Sequence, residues 1–319
     1  MSQSSHDFSG YSIAAIVPAY NEEQTIARVV RDLKEAVPGI TVYVYNNNST
    51  DRTEEEACAA GAEVRFVARK GKGNVVRTAF ADIDADIYVM IDGDDTYDAS
   101  CAGDLIQRLI SENLDHVLGC RLDDPNASAY RPGHAQGNRM FNRLVGYLFG
   151  EPVTDMLSGY RVFSRRFVKS FPALAREFEI ETELTVHSMA LRVPQTEVLV
   201  GFRDRPEGSE SKLNTYRDGM AILGLITKLF VAERPGLFFG IGSAIIMLIA
   251  LITGVPVVVH FFQTGLVPRL PTAVLAASLV LLAVLLGMLG VIMSGILRAR
   301  REASRMAYLR YPAVVRTAA

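Results

Sequence analysis

The chain has 319 residues, 49% of them hydrophobic, and a formal net charge of −2. That charge balance excludes the overall basic field of a nucleic-acid-binding protein, and the length allows one large domain or two smaller ones. The apolar excess is uneven and lies after residue 235. Cys58, Cys101 and Cys120 are odd in number, far apart and without metal-ligand spacing, which predicts a reducing compartment. Met1 to Tyr11 is polar and lacks an apolar run, so no cleaved signal peptide is expected.

Taken in order, Ser12 to Val17 reads as a buried strand stopped by Pro18. Asn21 is expected to open an amphipathic helix with Gln24 completing a capping box. Ile26, Val29, Val30 and Leu33 supply its apolar face, and it ends near Pro38-Gly39. Thr41 to Tyr45 reads as a second strand, and a polar elbow leads into a helix near Asp51. Val64 to Val67 is a short strand, and Lys70-Gly71-Lys72-Gly73-Asn74 opens the next helix. Ile87 to Ile91 is a fourth strand. This alternation predicts an α/β fold, a mostly parallel sheet with helices on both faces.

The fourth strand ends in Asp92-Gly93-Asp94-Asp95, with nothing basic adjacent in sequence. Carboxylates crowded at the end of a buried strand repel one another unless a cation sits among them. Hard oxygen ligands suit Mg²⁺ or Mn²⁺, which favour one or two carboxylates plus substrate phosphates. Ligands of open α/β sheets bind outside the carboxyl ends of strands, so Asp92 and Asp94 are candidate metal ligands for a diphosphate. An acidic turn capping the next helix is the plainer reading. Asp84-Ala85-Asp86, which precedes the strand, is expected to be such a solvated turn. The glycine elbows match neither a P-loop nor a dinucleotide fingerprint. Lys72, between two glycines, reads equally well as a diphosphate contact or as a solvated lysine.

Five segments in order now carry a resemblance: Pro18-Ala19-Tyr20-Asn21-Glu22-Glu23, Asn46-Asn47-Asn48-Ser49-Thr50-Asp51, Asp92-Gly93-Asp94, Asp155-Met156-Leu157-Ser158-Gly159-Tyr160-Arg161, and Arg205-Pro206-Glu207-Gly208-Ser209-Glu210-Ser211-Lys212-Leu213. Over about residues 12 to 215 the chain resembles the family 2 glycosyltransferases of GT-A fold, in the polyprenyl-phosphate branch that includes dolichol-phosphate mannose synthase. The resemblance implies that Pro18, Tyr20, Glu22, Asn46, Asn47, Asp51, Lys72 and Asp92 bind the nucleotide sugar. Relatives usually carry aspartates where Asn46 and Asn47 stand, which leaves the base open. Asp92 and Asp94 would hold Mg²⁺ or Mn²⁺, with Thr96 where some relatives use glutamine. Asp92, Asp94, Asp155 and Arg205 are implied as the catalytic group, with Asp155 positioning rather than acting as a base. Arg121, Arg139, Arg205 and Lys212 would bind the acceptor phosphate through the planar or point charges that suit it. Ser158 and Glu181 are candidate contacts to sugar or acceptor, Glu181 on a helix from Glu179 to about Leu191. Arg131, His134, Asn138 and Arg143 read as surface residues or further acceptor contacts.

Past Asn214 the composition turns to membrane. Tyr216, Met220, Leu223, Ile226, Leu229 and Phe230 recur at helical spacing, as in an interfacial helix. Gly236–Val259 and Thr272–Leu297 contain no charge, and each exceeds the roughly 20 residues needed to span a bilayer. Arg298, Arg300, Arg301, Arg305 and Arg310 follow, which by the positive-inside bias places the tail in the cytoplasm. The expected organisation is therefore a cytoplasmic catalytic domain (1–212), a juxtamembrane helix (213–234), a two-span hairpin (235–297) and a basic tail (298–319).

The reaction expected from the resemblance is inverting transfer of a hexose, glucose or mannose, from a UDP- or GDP-sugar to a polyprenyl phosphate. The alternatives are a hydroxyl acceptor, such as a glycolipid or polysaccharide, and a membrane-tethered scaffold that binds nucleotide sugars without turnover. The lipid bilayer is the expected partner, nucleic acid is not, and a homo-oligomer is left open.

Overall fold

Alternation in β1 (Ile13–Ala19) sends Ala15 and Val17 to one face of a sheet and Ala14 and Ile16 to the other, and all four are buried. A strand covered on both faces reads as a continuous apolar run. The computed structural model describes residues 7–121, 146, 154–173, 179–202 and 230–314. The chain divides into two units, Met1–Leu213 with Ala303–Ala319, and Asn214–Glu302.

In the first unit α1 (Ile26–Ala36), β2 (Thr41–Asn46), α2 (Thr53–Ala59), β3 (Glu63–Phe66), α3 (Lys72–Asp82) and β4 (Ile87–Met90) follow β1. A short 3-10 turn and α4 (Ala102–Ser111) lead to β5 (His116–Arg121). Then come β6 (Arg161–Ser164), α5 (Arg165–Ser170), α6 (Glu179–Leu191) and β7 (Gln195–Val200). The seven-stranded sheet has the order β3-β2-β1-β4-β6-β5-β7, with β6 antiparallel to both neighbours and the other pairings parallel. Helices α1 and α4 pack on one face and α3 and α6 on the other, as the alternation predicts. The strand order reverses between β1 and β4, which makes the crevice beyond their carboxyl ends the natural ligand position.

Two local expectations are corrected. Pro18 does not stop β1, which runs on to Ala19. Ile16 and Pro18 turn their backbone toward β4, and that pairing has ended at Ile16↔Met90 and the bond from Ile91 N to Ile16 O. The missing proline N–H therefore leaves no ladder bond unmade. Nor does Asn21 open α1: it sits at φ 57°, and the helix starts at Ile26 with Thr25 before it. Asn21 Oδ1 instead accepts from Thr50 N (2.8 Å), which ties two loops together in place of a capping box.

The tail packs into this same unit. Asp115, fully buried immediately before β5, accepts from Ser164 Oγ (2.6 Å), Arg166 Nη2 (2.6 Å) and Tyr308 Oη (2.6 Å). Arg305 Nη1 donates to Leu191 O (3.0 Å), and Tyr308 and Val314 are buried.

The second unit holds α7 (Pro235–Thr264) and most of α8 (Leu270–Tyr308), both long and apolar enough to cross a bilayer. Small residues let their backbones approach: Ser243 Oγ donates to Ala283 O (2.7 Å), and Gly254 faces Ala276. Arg301 Nη2 pairs with Glu233 Oε2 at 2.7 Å. Large apolar side chains such as Ile252, Phe262 and Val291 are exposed. The interfacial pattern from Tyr216 to Leu229 lies outside the described residues.

Candidate active site

Every residue of β4 is buried, so the chain leaves the core abruptly at Asp92. Thr25 Oγ1 donates to Gly93 O (2.7 Å) and seats the turn on the start of α1. A Cβ at Gly93 would lie 3.2 Å from Ile26 Cδ1 and 3.3 Å from Pro18 O, too close for any larger residue without movement. Asp94 Oδ1 accepts from Thr96 Oγ1 (2.6 Å) and Thr96 N (3.2 Å), which aims that carboxylate. Asp95, at φ 55°, pairs outward with Arg28 (3.2 Å). The Asp84-Ala85-Asp86 turn is elsewhere, with Asp84 exposed and paired to Arg165.

A cation does sit among the carboxylates, and it comes from the first residue of α3. Lys72 Nζ bonds Asp92 Oδ1 and lies 2.6 Å from Glu181 Oε1. Burial alone would push its ammonium down, but the charges of Asp92 and Glu181 override that and hold it above the ordinary lysine value. Burial raises Glu181 above the usual carboxylate range, against the pull of Lys72. Glu181 Oε2 is buried and, among the described residues, has no hydrogen-bond partner.

The segment from Asp155 to Tyr160 forms a second wall. Asp155 accepts from Arg121 Nε (2.7 Å) and Nη2 (2.6 Å), a bidentate pair at the end of β5. Ser158 Oγ is turned inward to Gly119 O, so it holds the loop. Gly159 lies so close to Asp92 that a Cβ there would stand 2.8 Å from the carboxylate carbon. Gly159 N donates to Tyr97 Oη (2.9 Å), a phenol whose pKa burial raises.

Toward the carboxyl ends of β1 and β2, Tyr20 is 45% exposed, with Lys70 Nζ 4.8 Å from its ring centre. Glu22 N donates to Thr53 Oγ1 (2.8 Å) and Glu23 N to Asp51 Oδ2 (3.1 Å), so the first two motifs are stitched together. Despite the cost of its burial, Asp51 is held below the usual carboxylate range by hydrogen bonds from Thr53 and Glu23. Asn46 Nδ2 donates to Glu54 Oε2 (2.9 Å), and its Oδ1 accepts from Ser49 N (2.9 Å). Asn47 Nδ2 donates to Val67 O (3.1 Å) and Arg69 O (2.8 Å), and its Oδ1 accepts from Gly71 N (2.7 Å). Both amides thus brace this side of the site, and Asn47 has spent both its donors doing so.

The residues fit a hard divalent cation. Two carboxylates end a buried strand, one aimed by Thr96 and the other in a niche that only glycine leaves open. Among the described residues no group of three His, Cys, Asp or Glu side chains converges as ligands, so water and a diphosphate would complete the shell. The structure therefore brings together Pro18, Tyr20, Glu22, Asn46, Asn47 and Asp51 on one side, and Lys72, Asp92, Asp94, Arg121, Asp155, Ser158 and Glu181 on the other. Arg131, His134, Asn138, Arg139, Arg143, Arg205 and Lys212 lie outside the described residues. Thr25, Tyr97, Arg161 and His116 received no role from the sequence. Arg161 alone stood in a motif that could have drawn attention to it.

Comparison with known proteins places these observations. The profile described as "Glycosyl transferase family 2" matches residues 14–171. Protein RfbJ of Shigella flexneri is 52% identical over 127 residues, covering 40% of this chain and 98% of that protein. A dolichyl-phosphate hexose transferase of Haloferax volcanii is 30% identical over 222 residues, covering 70% of this chain and 95% of that one. Among solved structures, glucosyl-3-phosphoglycerate synthase from Mycobacterium tuberculosis, in complex with Mn²⁺, UDP and glucosyl-3-phosphoglycerate, superposes with a TM-score of 0.55. It is 24% identical, with 70% of this chain and 79% of that chain covered, a likeness of fold.

Proposed function

Because this chain belongs to glycosyl transferase family 2, we propose that it moves a hexose from a nucleoside diphosphate sugar to a polyprenyl phosphate at the cytoplasmic face of a membrane. The observation that carries the choice of acceptor is the Arg121–Asp155 pair, in which both carboxylate oxygens accept from one guanidinium. A hydroxyl nucleophile must lose a proton, which calls for a free carboxylate or other base. A phosphate monoester, with its second pKa near about 6, arrives mostly as a dianion. It needs cationic groups to aim it, and Arg121 is one. The name of the haloarchaeal relative and the two apolar helices point the same way.

In this reading an oxygen of the acceptor phosphate bonds to the anomeric carbon while the bond from that carbon to the diphosphate oxygen breaks, with inversion. The leaving diphosphate takes the electron pair. A divalent cation held by Asp92 and Asp94 would supply charge neutralisation for that leaving group. Asp155 fixes the direction of Arg121, and Arg139, Arg205 and Lys212 would share the acceptor. Lys72 keeps its proton and stands beside Asp92 as a fixed positive charge. Tyr20, Glu22, Asp51 and the braced Asn46–Asn47 turn would hold the nucleoside. Glu181, with one oxygen uncommitted, and the loop closed by Ser158 would face the sugar. Residues 235–297 would anchor the enzyme to the surface where its lipid acceptor is found.

The test is transfer by the purified full-length protein in detergent, with UDP- and GDP-hexoses offered against undecaprenyl phosphate. Labelled lipid product is expected with at least one donor. Transfer only to hydroxyl acceptors would replace this reading with the first alternative, and donor binding without any turnover would replace it with the scaffold.

A further inference from the structure

Arg161 is the largest fully buried side chain of the described residues, and among them it has no carboxylate within ion-pair distance. Its register partners in the sheet, Met90 and Leu118, are apolar. Sealing a guanidinium away without a direct ion pair is costly, and the more distant charges of Glu181 and Asp155 do not cancel that cost, since burial still lowers its pKa. What the charge obtains instead is four directed contacts. Nη2 donates to Met156 O (2.7 Å), Nε to Ser158 O (2.9 Å) and Nη1 to Thr185 Oγ1 (2.9 Å). Nη1 also faces His116 Nε2 at 3.4 Å.

These contacts fall on two different walls of the site. Met156 and Ser158 lie in the loop that carries Asp155, the partner of Arg121, and Gly159, the neighbour of Asp92. Thr185 lies on α6 and donates to Glu181 O (3.0 Å), one turn from the carboxylate that meets Lys72. The fourth contact is set from behind. Arginine can only donate, so His116 Nε2 must accept, its proton resides on Nδ1, and Nδ1 donates to Gln195 Oε1 (3.2 Å). The ring is clamped by stacking on Phe163 and Phe167.

We infer that Arg161 is a positioning residue for glycosyl transfer: its guanidinium, backed by His116 and Gln195, holds the 155–159 loop and α6 in fixed relation. Through them it holds the Asp155–Arg121 pair and the Glu181–Lys72 pair. Lysine would keep the charge but could not span two carbonyls and a hydroxyl at once.

The inference rests on family membership and not on which acceptor is used, so the assay is turnover of whichever donor the wild type consumes. Arg161→Lys and Thr185→Val are compared with wild type in the full chain, alone and combined with Arg121→Ala. Arg161→Lys is expected to lower kcat by at least roughly 30-fold with the donor KM within about threefold. In the Arg121→Ala background the further loss should shrink to under about threefold, since groups acting as one unit are not additive. Thr185→Val, nearly isosteric, should show the same pattern at smaller amplitude and decides the matter should Arg161→Lys fail to fold. Hydrogen exchange gives a readout independent of activity: the peptide spanning 155–160 should exchange at least about tenfold faster in the variants, with β1 unchanged. Equal losses of kcat in both backgrounds, or unaltered exchange of that peptide, would overturn the inference. A wild type that consumes no donor would count against the proposed function and leave the exchange measurement to decide this one.

Discussion

Lys72 Nζ bonds Asp92 Oδ1, so the carboxylate best placed to take a metal already has a cation of the protein's own. Removing Lys72 would leave Asp92, Asp94 and Glu181 with no ammonium among them. Lys72→Met should therefore bind Mn²⁺ in the absence of donor on the order of tenfold more tightly, seen by electron paramagnetic resonance, while turnover falls. Asp94→Asn should keep its fold and lose turnover by orders of magnitude. Full wild-type activity in excess chelator would refute a metal requirement.

The pH dependence of transfer should belong to the acceptor. If the acceptor is the proposed lipid phosphate, the acidic limb should report its second ionisation, near about pH 6, because Asp155 is committed to Arg121. A phosphonate acceptor, which keeps its second proton to higher pH, should move the limb upward. If the limb stays fixed and Asp155→Asn abolishes it, a protein base is at work.

Topology is open to chemical labelling. With the three native cysteines replaced, Gln263→Cys should react with an impermeant reagent from outside intact cells, and Arg300→Cys should react only after the membrane is opened. The reverse pattern would put the basic tail outside and separate the catalytic unit from cytoplasmic donors.

Burial pushes the pKa of His116 down to about 3, with the Arg161 charge adding to the effect. The folded protein thus holds fewer protons than the unfolded chain between about pH 3 and 6.5. Stability from the neutral ring is fully present above pH 6.5 and is lost as pH falls toward 3. By pH 5 the loss should be about 2 kcal/mol. Melting curves at pH 7 and pH 5 check this, since His116→Gln should flatten the difference. An equally steep fall in that variant would assign the acid sensitivity to other groups.

Tyr308→Phe removes one of the donors to buried Asp115 and leaves Ser164 and Arg166 in place. A cost of about 1–2 kcal/mol is expected, lowering the melting temperature by roughly 2–8 °C. No change in melting would mean that the Tyr308 hydroxyl contributes nothing to holding the tail on the first unit.

How much of this was legible in sequence follows from how locally each feature is encoded. Strands β1 and β4 are, because burial on both faces writes them as apolar runs between polar elbows, whereas β3 is a short, partly exposed edge strand. Asp92 and Asp94 are, because a strand ending in carboxylates is unusual within a few residues. Strand β6 is not: its four residues begin with Arg161 and end with Ser164, both buried, and nothing in that pattern signals a reversed strand. The partner of Lys72 was equally hidden, since Glu181 and Asp92 reach it only after α3, β4 and α6 have packed. The motif located Asn46 and Asn47 at the carboxyl end of β2, where the structure has them, but did not show what their amides bond. The Asn47 amide turns inward because asparagine, unlike aspartate, can donate to the carbonyls of Val67 and Arg69, and Asn46 donates to the Glu54 carboxylate. The arginine-rich end of the chain was readable as charge but not as structure, because Tyr308 and Val314 are buried by partners far away in sequence.

The return of that end to β5 bears on how the protein is made. Its first unit is discontinuous, with the whole of Asn214–Glu302 synthesised between the two parts. At roughly 5–20 residues per second, about 10 to 40 seconds separate the emergence of Asp115 from that of Tyr308. Throughout that interval Asp115 lacks a hydrogen bond that it has in the finished protein. The catalytic unit therefore reaches its final form only after both long apolar helices have left the ribosome. A chain halted before α8 is complete would lack the Tyr308–Asp115 bond, so that closure of the first unit is tied to translation of both long helices.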